Sequence, residues 1–352
     1  GRYRARYPDD GMNLAAGVLE GNRLALARLL TQVENHTAEG RQALNELFPH
    51  TGSAHLIGVT GSRGTGKSSL VNQLARQFRQ PGDSRQPVRV AIVAVDPTSP
   101  FSGGAILGDR VRMRDLSGDP GVFIRSMASR GSLGGLASAT AGVVQVFDAA
   151  GFDVILIETV GAGQAEVDIA RLAHTTLVVE APGMGDDIQA IKAGILEIAD
   201  LLVINKADRP GVEITERALK SMLHLAHPVP RVFQNHTRAH GASLEPEPGT
   251  GPAATQEKLW ITPIYRTVAT EGTGLPELMA AIQRHRDYLE ETGEWQRREQ
   301  ARLKTELDDL LRETLMNRWR QSVPGEQYRE VLQALAVREI SPWQAVGRLV
   351  DA

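Results

Sequence analysis

Short runs of apolar and β-branched residues alternate with longer amphipathic segments through the middle of the chain. Each run is nearly continuous in hydrophobicity, which is typical of strands that are buried on both faces of a parallel sheet. The segments between them have the length and periodicity of helices, so a helical crossover can join successive strands. The pattern predicts an α/β domain with a central, mostly parallel sheet covered by helices, and strands at 54–60, 88–96, 122–126, 153–159, 175–180, 201–206 and 264–269.

Helical patterns flank this region on both sides. Residues 12–48 carry apolar side chains at helical spacing, and Asn22 is placed as an N-cap. Near the other end, Ser341, Pro342 and Gln344 have the spacing of an N-cap, a first-turn proline and a capping-box partner. We therefore expect an N-terminal helical extension, an α/β nucleotide-binding domain and a C-terminal helical arm, at residues 1–50, 51–275 and 276–352.

A repeat of large apolar residues marks the predicted C-terminal arm. They recur every four positions among charged residues, so one side of the helix carries an apolar stripe made of Leu303, Leu307, Leu311, Leu315 and Trp319. Such a stripe needs cover, either from its own domain or from the arm of a second copy in a dimer. The sequence alone leaves both alternatives open.

Composition and charge narrow the function classes. The net charge of −3 predicts no general attraction to nucleic acid or to an anionic membrane. The chain has no cysteine, which excludes disulfides, thiolate metal sites and a cysteine nucleophile, and fits a reducing compartment. No apolar run approaches the ~18 residues of a membrane span, and the first residues lack the apolar core of a secretory signal. We expect a cytoplasmic protein, with residues 236–259 forming an exposed loop rich in Gly, Pro, Ser and Thr.

A phosphate-binding motif follows the first predicted strand. The stretch from Gly61 to Ser68 matches G-x-x-x-x-G-K-[ST] and precedes a predicted helix at 68–79, which is the context that the motif requires. Its glycines allow backbone N–H groups to turn inward around a phosphate, Lys67 can reach the β- and γ-phosphates, and the Ser68 hydroxyl can bind Mg²⁺. The predicted nucleotide-binding residues here are Gly61, Ser62, Arg63, Gly64, Thr65, Gly66, Lys67, Ser68 and Ser69.

A second motif indicates which nucleotide is bound. The sequence "VINKAD" places Asn205, Lys206 and Asp208 at the end of a strand. The carboxylate of Asp208 can accept hydrogen bonds from guanine N1–H and its 2-amino group, a pair that adenine cannot offer. The end of the last strand is placed to supply backbone contacts to guanine O6, from Val268, Ala269 and Thr270.

Carboxylates after the strands are candidate ligands of Mg²⁺, together with Ser68. Asp96 ends the second strand, Asp109 follows in the next loop, and Glu158 ends the fourth strand. Ligands of parallel sheets bind at this edge, and Mg²⁺ prefers oxygen donors. Asp109 has the alternative role of a helix cap or an ion-pair partner. Glu158 directly follows "VILI" and must face a polar site.

Candidates for the hydrolysis step are fewer. Residues 158–161, "ETVG", stand where many GTPases carry D-x-x-G, so the Gly161 amide can sense the γ-phosphate. Gln164 is a candidate for orienting water, although it lies three positions after that glycine rather than one. The predicted catalytic set is Lys67, Asp109, Glu158 and Gln164, and we assign no arginine and no metal-binding histidine.

Several long motifs together resemble those of the MeaB/ArgK family, which includes the methylmalonic aciduria type A protein. They are "VDPTSPFSGGAILGDRVRM", "RSMASRGSLGGL", "ETVGAGQAEVD" and "PGMGDDIQAIKAGILEIADLLVINKAD", with the tail at 341–349. The resemblance implies a P-loop GTPase fold related to the hydrogenase and urease accessory GTPases. It further implies a homodimer through a C-terminal helical arm and a chaperone of adenosylcobalamin-dependent acyl-CoA mutases, with GTP, GDP and Mg²⁺ as ligands.

The same resemblance suggests roles for particular residues. It places Asp96, Asp109 and Glu158 around Mg²⁺, and it identifies 182–192 as a switch loop that responds to the mutase, with Asp186 and Lys192 at its functional positions. From the residues alone, 182–192 also reads as an ordinary acidic helix start. The chain departs from the family in two places: Arg63 stands where a proline is usual, and Val268 where many relatives have serine.

Three other functions remain alternatives on the sequence. A GTP-dependent metallochaperone of the hydrogenase or urease type usually carries Cys or His metal ligands. This chain has no cysteine and no histidine-rich tract. A GTP-bound scaffold that does not hydrolyse its nucleotide, and an ATP-driven enzyme, are the other two. The mutase chaperone is the function that we predict.

Overall fold

The computed structural model describes residues 13–80, 88–97, 116, 118–129, 135–159, 164–183, 197–225 and 259–350. The chain divides into two compact units, residues 1–302 and 303–352. The predicted Asp109, Asp186 and Lys192 lie outside the described residues, as does the predicted loop 236–259 up to residue 258.

A seven-stranded parallel sheet forms the centre of the first unit, in the order β3-β2-β4-β1-β5-β6-β7. Every predicted strand is present and every pairing in the ladder is parallel, so the predicted fold class is confirmed. The strands are β1 His55–Thr60, β2 Val90–Pro97, β3 Val122–Ser129, β4 Val154–Thr159, β5 Thr175–Glu180, β6 Leu201–Asn205 and β7 Ile264–Thr267.

Helices precede, connect and follow the strands. In the described residues they are α1 Leu14–Leu19, α2 Arg23–Glu34, α3 Ala38–Leu47, α4 Lys67–Arg79, α5 Gly135–Ala149, α6 Gln164–Leu172, α7 Val212–Leu225, α8 Leu275–Thr292, α9 Glu294–Ser322, α10 Gly325–Ala336 and α11 Pro342–Val350, with a short 3₁₀ turn at Phe48–His50. The predicted cap of α2 is confirmed, since the Asn22 side chain accepts from the amides of Leu24 and Ala25. Within the described part of the chain, no helix is long and apolar enough to cross a membrane.

The two faces of the sheet bury different helices. Successive strand residues point to opposite faces, so Leu56 packs in the cluster with α2, α3 and α5, whereas Ile57 packs with α4 and α8. Both faces of the central strands are therefore covered, which explains their continuous hydrophobicity. Helices cover both faces of the sheet, so the loops at its carboxyl edge are the part that can contact a ligand.

The second unit is helical and has a small core of its own. Val331, Ile340 and Ala345 are buried together. The predicted capping box is confirmed: the Ser341 amide donates to Gln344 Oε1 at 2.8 Å, and the Gln344 amide donates to Ser341 Oγ at 3.2 Å. These contacts fix the start of α11.

The side chains of the predicted apolar stripe on α9 differ in how exposed they are. Trp319 packs within the second unit, where its Nε1 donates to the carbonyl of Leu349 at 2.7 Å. Leu307, Leu311 and Leu315 are 57%, 49% and 60% exposed. Three leucines at four-residue spacing thus form one apolar strip that the described residues leave about half exposed.

A buried polar network lies at the amino edge of the sheet, opposite the predicted nucleotide site. Thr175 Oγ1 is 2.8 Å from His55 Nε2 and 2.9 Å from His285 Nδ1. Arg298 at the start of α9 binds both carboxylate oxygens of Asp200, which precedes β6. Burial holds the pKa of His55 well below its ordinary value, so this side chain is neutral at pH 7. The network fastens α8 and the start of α9 to the sheet.

Candidate functional site

The P-loop runs from the end of β1 to the start of α4 at the carboxyl edge of the sheet. Gly61, Gly64 and Gly66 have φ of 131°, 80° and 93°, values that favour glycine. A Cβ on Gly61 would lie 2.1 Å from the carbonyl oxygen of Val179 in β5, and one on Gly66 would lie 2.5 Å from Asn205 Nδ2. The loop therefore needs glycine at these two positions for space as well as for backbone conformation.

Lys67 is the first residue of α4 and is almost fully buried. Its ammonium donates to the carbonyls of Gly61 and Ser62, each at 2.8 Å. Thr65 Oγ1 also donates to the Ser62 carbonyl, at 3.0 Å. The Lys67 ammonium thus lies inside the loop at the N-terminus of α4. Its charge and the helix dipole both favour binding of an anion there. Arg63 is exposed, and Ser69 is partly buried.

Two of the predicted Mg²⁺ ligands meet beside the loop. Ser68 Oγ donates to Glu158 Oε1 at 2.5 Å. Glu158 is 3% exposed and lies on β4, which pairs directly with β1. A hydroxyl and a carboxylate side by side are hard oxygen donors of the kind that Mg²⁺ prefers, so these residues fit the ion.

The other predicted site residues on this edge are placed only by their backbone. Asp96 is one residue from the end of β2, which pairs with β4, so it lies on the same edge of the sheet as Glu158. Gln164 is the first residue of α6. The side chains of both lie outside what the structure describes, so their roles stay predictions.

Asn205 joins the P-loop to the loop after β7. Its Nδ2 donates to the Thr65 carbonyl at 2.9 Å, and its Oδ1 accepts from the Thr267 hydroxyl at 3.2 Å and from the Ala269 amide at 3.0 Å. The Ala269 amide predicted to contact guanine O6 is therefore engaged by Asn205 in this structure. Val268 is buried and Thr270 is exposed in the turn that follows.

Lys206 and Asp208 follow Asn205 in the chain, and Lys206 also contacts the P-loop. Lys206 has a φ of 58°, unusual for a side chain of its size, and its ammonium donates to the Gly64 carbonyl at 2.5 Å. The Arg209 amide donates to the Lys206 carbonyl at 3.0 Å, closing a turn that carries the exposed Asp208. A planar base can lie along the Lys206 stem with its edge toward Asp208.

One carboxylate at this site is not among the residues predicted from the sequence. Glu180 ends β5, is 2% exposed, and accepts from Ser62 Oγ at 3.3 Å. The signal in the sequence is the same as for Glu158, an acid directly after a continuous apolar run. Since β4 and β5 flank β1, the P-loop lies between these two buried carboxylates.

Known proteins resemble this chain along most of its length. The sequence profile of the family described as Methylmalonyl Co-A mutase-associated GTPase MeaB matches residues 26–323. A protein of Pyrococcus abyssi named as a GTPase is 40% identical over 331 residues, covering 94% of this chain and 93% of its own. The mitochondrial methylmalonic aciduria type A homolog of Caenorhabditis elegans is 27% identical, over 88% and 75% of the two chains. The crystal structure of LAO/AO transport system kinase is 25% identical with a TM-score of 0.68, over 98% and 99%.

Proposed function

Since the chain belongs to the MeaB family of methylmalonyl-CoA mutase-associated GTPases, we propose that it gates cofactor loading and protects an adenosylcobalamin-dependent acyl-CoA mutase. Guanine-nucleotide binding and GTP hydrolysis follow from the family itself. The single observation that carries the chaperone role is the profile match over residues 26–323, because the family is named for its association with methylmalonyl-CoA mutase.

The site geometry supports a division of roles for nucleotide binding. The P-loop amides and the start of α4 hold the phosphates, and Lys67 offsets charge that grows on the β- and γ-phosphates during hydrolysis. Asp208 selects guanine, while Lys206 and Asn205 fix the base-binding turn to the P-loop. The predicted contacts of Val268, Ala269 and Thr270 with guanine O6 belong to the same proposal.

Mg²⁺, when bound, would neutralise charge between the β- and γ-phosphates. Ser68 and Glu158 are the residues that would hold it, with Asp96 and Asp109 as further predicted ligands. Gln164 remains the candidate for orienting the attacking water. Coupling to the mutase is assigned to the 182–192 segment, with Asp186 and Lys192 as the responsive residues.

The exposed leucines of α9 favour a homodimer through the C-terminal helices. Leu307, Leu311 and Leu315 form an apolar strip long enough for a helix of a second copy to pack along. Of the two ways of covering the stripe, the dimer is therefore the one that we propose.

Changing Leu307 and Leu311 to glutamate should convert the dimer to a monomer, because four charges would then be buried in the interface of the two copies. Light scattering after size-exclusion chromatography measures the mass directly. Arg320→Glu, an exposed charge change on the opposite side of α9, is the control and should leave the mass unchanged. A variant L307E/L311E that keeps the mass of the unchanged protein would contradict the proposed interface.

Single-turnover hydrolysis of GTP with and without a mutase tests the chaperone role. We expect one of the methylmalonyl-, isobutyryl-, 2-hydroxyisobutyryl- or ethylmalonyl-CoA mutases to raise the rate about tenfold or more, as partner-stimulated GTPases do. Serum albumin at equal concentration controls for crowding. If none of the four mutases changes the rate or co-elutes with the protein, while Ni²⁺ or Zn²⁺ binds tightly, the proposal fails in favour of a metallochaperone.

A further inference from the structure

Glu180 is a buried acid at a site that binds an anion. Its carboxylate is almost fully buried and accepts a hydrogen bond from Ser62 Oγ at 3.3 Å. Ser62 lies inside the loop whose amides are expected to surround the phosphates. A carboxylate that is ionised in this place would oppose the triphosphate, so phosphate binding does not account for Glu180.

The position of Glu180 is fixed by the sheet and not by a loop. It ends β5, which pairs with β1 on one side and with β6 on the other. In the ladder Glu180 is opposite Ile204, the residue before Asn205. The backbone of β5 also lies close to Gly61, because a Cβ on Gly61 would come within 2.1 Å of the Val179 carbonyl oxygen. The backbone of Glu180 is therefore held beside the start of the P-loop.

The ammonium of Lys67 lies on the other side of the same loop segment. It donates to the carbonyls of Gly61 and Ser62, and the side chain of Ser62 donates to Glu180. Ser62 thus contacts both side chains, and an ionised Glu180 would attract the ammonium toward the two carbonyls, its retracted position. When the ammonium turns to the phosphates it leaves this attraction, and the phosphates approach the carboxylate.

We propose that Glu180 is ionised and is a positioning residue that weakens nucleotide binding and speeds release of GDP. It does so by stabilising Lys67 in its retracted position and by repelling the phosphates. This inference rests on the proposed placement of the phosphates at the P-loop. Its consequence is a GTPase that exchanges nucleotide quickly on its own, leaving hydrolysis as the step for a partner to control.

Replacing Glu180 by glutamine keeps the shape and an acceptor for Ser62 but removes the charge. We expect Glu180→Gln to tighten GTP binding about tenfold and GDP binding about fivefold, with slower GDP release, because the repulsion scales with ligand charge. Affinity for uncharged guanosine should not change. Stopped-flow release of a fluorescent GDP analogue and competition with GTP, GDP and guanosine measure these values. A structural defect would instead weaken all three ligands together.

Two further variants separate the charge of Glu180 from the shape of its side chain. Glu180→Asp keeps the charge and should retain the weak binding of the unchanged protein. Glu180→Met is the second neutral variant if the glutamine protein does not fold. The inference is overturned if the neutral variants bind GTP no more tightly than the unchanged protein, or if their affinity for guanosine shifts by the same factor. Unchanged GTP binding by a Lys67→Ala variant would overturn the proposed function itself, so the two failures are distinguishable.

Discussion

Replacing Lys67 by alanine should abolish tight GTP binding, with a loss of affinity of about 100-fold or more. The side chain supplies the one ammonium buried at the start of α4 among the described residues, 5% exposed, and it would bind oxygens of both the β- and γ-phosphates. Hydrogen bonds to charged groups contribute roughly 1.5–3 kcal/mol each, and two such bonds correspond to about two to four powers of ten in affinity. Isothermal titration calorimetry with GTP and Mg²⁺ measures the change.

The control for this variant must separate binding from folding. Lys67 also donates to the carbonyls of Gly61 and Ser62, so its removal affects the loop as well as the ligand. Lys220→Ala removes an exposed lysine of α7 that pairs with Glu216 and should bind GTP normally. Circular dichroism without nucleotide should show that both proteins are folded at the temperature of the titration. A Lys67→Ala protein that is folded and binds GTP as tightly as the unchanged protein would remove the P-loop from the proposed site.

The strands and the two nucleotide motifs are predictable because each is a local pattern. Continuous apolar runs suffice to locate β1 and β4, and the acid after "VILI" is correctly expected to face a polar partner, which is Ser68. The glycine spacing of the P-loop has meaning within eight residues, from Gly61 to Ser68. The positive φ of Gly61, Gly64 and Gly66 is a requirement of this local kind, whereas the close approach of Val179 and Asn205 to two of these glycines is not.

Contacts between distant segments are not predictable in this way. Glu180 carries the same pattern as Glu158, but its importance depends on β5 being a neighbour of β1, and strand order is set by the crossovers. The buried network has the same origin: His55 and Thr175 are 120 positions apart, and Arg298 and Asp200 are 98. No local spacing marks such pairs, since folding alone brings the amino ends of the strands together. The contact of the Ala269 amide with Asn205 likewise needs the structure.

Asp208 should decide which base the protein accepts, and its replacement by asparagine should lower GTP affinity about 100-fold. The carboxylate accepts from both N1–H and the 2-amino group of guanine, and an amide offers one acceptor and one donor instead. A donor facing the 2-amino group is unfavourable, whereas it matches the 2-oxo group of xanthine. Asp208→Asn should therefore gain affinity for XTP as it loses affinity for GTP, and its preference for GTP over ATP should shrink.

We expect Asp208→Asn to change recognition of the base and to leave binding of the phosphates unchanged. Asp208 is exposed on the turn after Lys206 and lies outside the P-loop, so its loss leaves the contacts of Lys67 and Asn205 with the loop in place. Competition of GTP, XTP and ATP against a fluorescent nucleotide measures the preference. Glu213→Gln, a nearby exposed acid at the start of α7, is the matched control and should keep guanine selectivity. If Asp208→Asn still selects GTP over XTP and ATP to the same degree, the base is recognised elsewhere and the assignment of the "NKAD" motif is wrong.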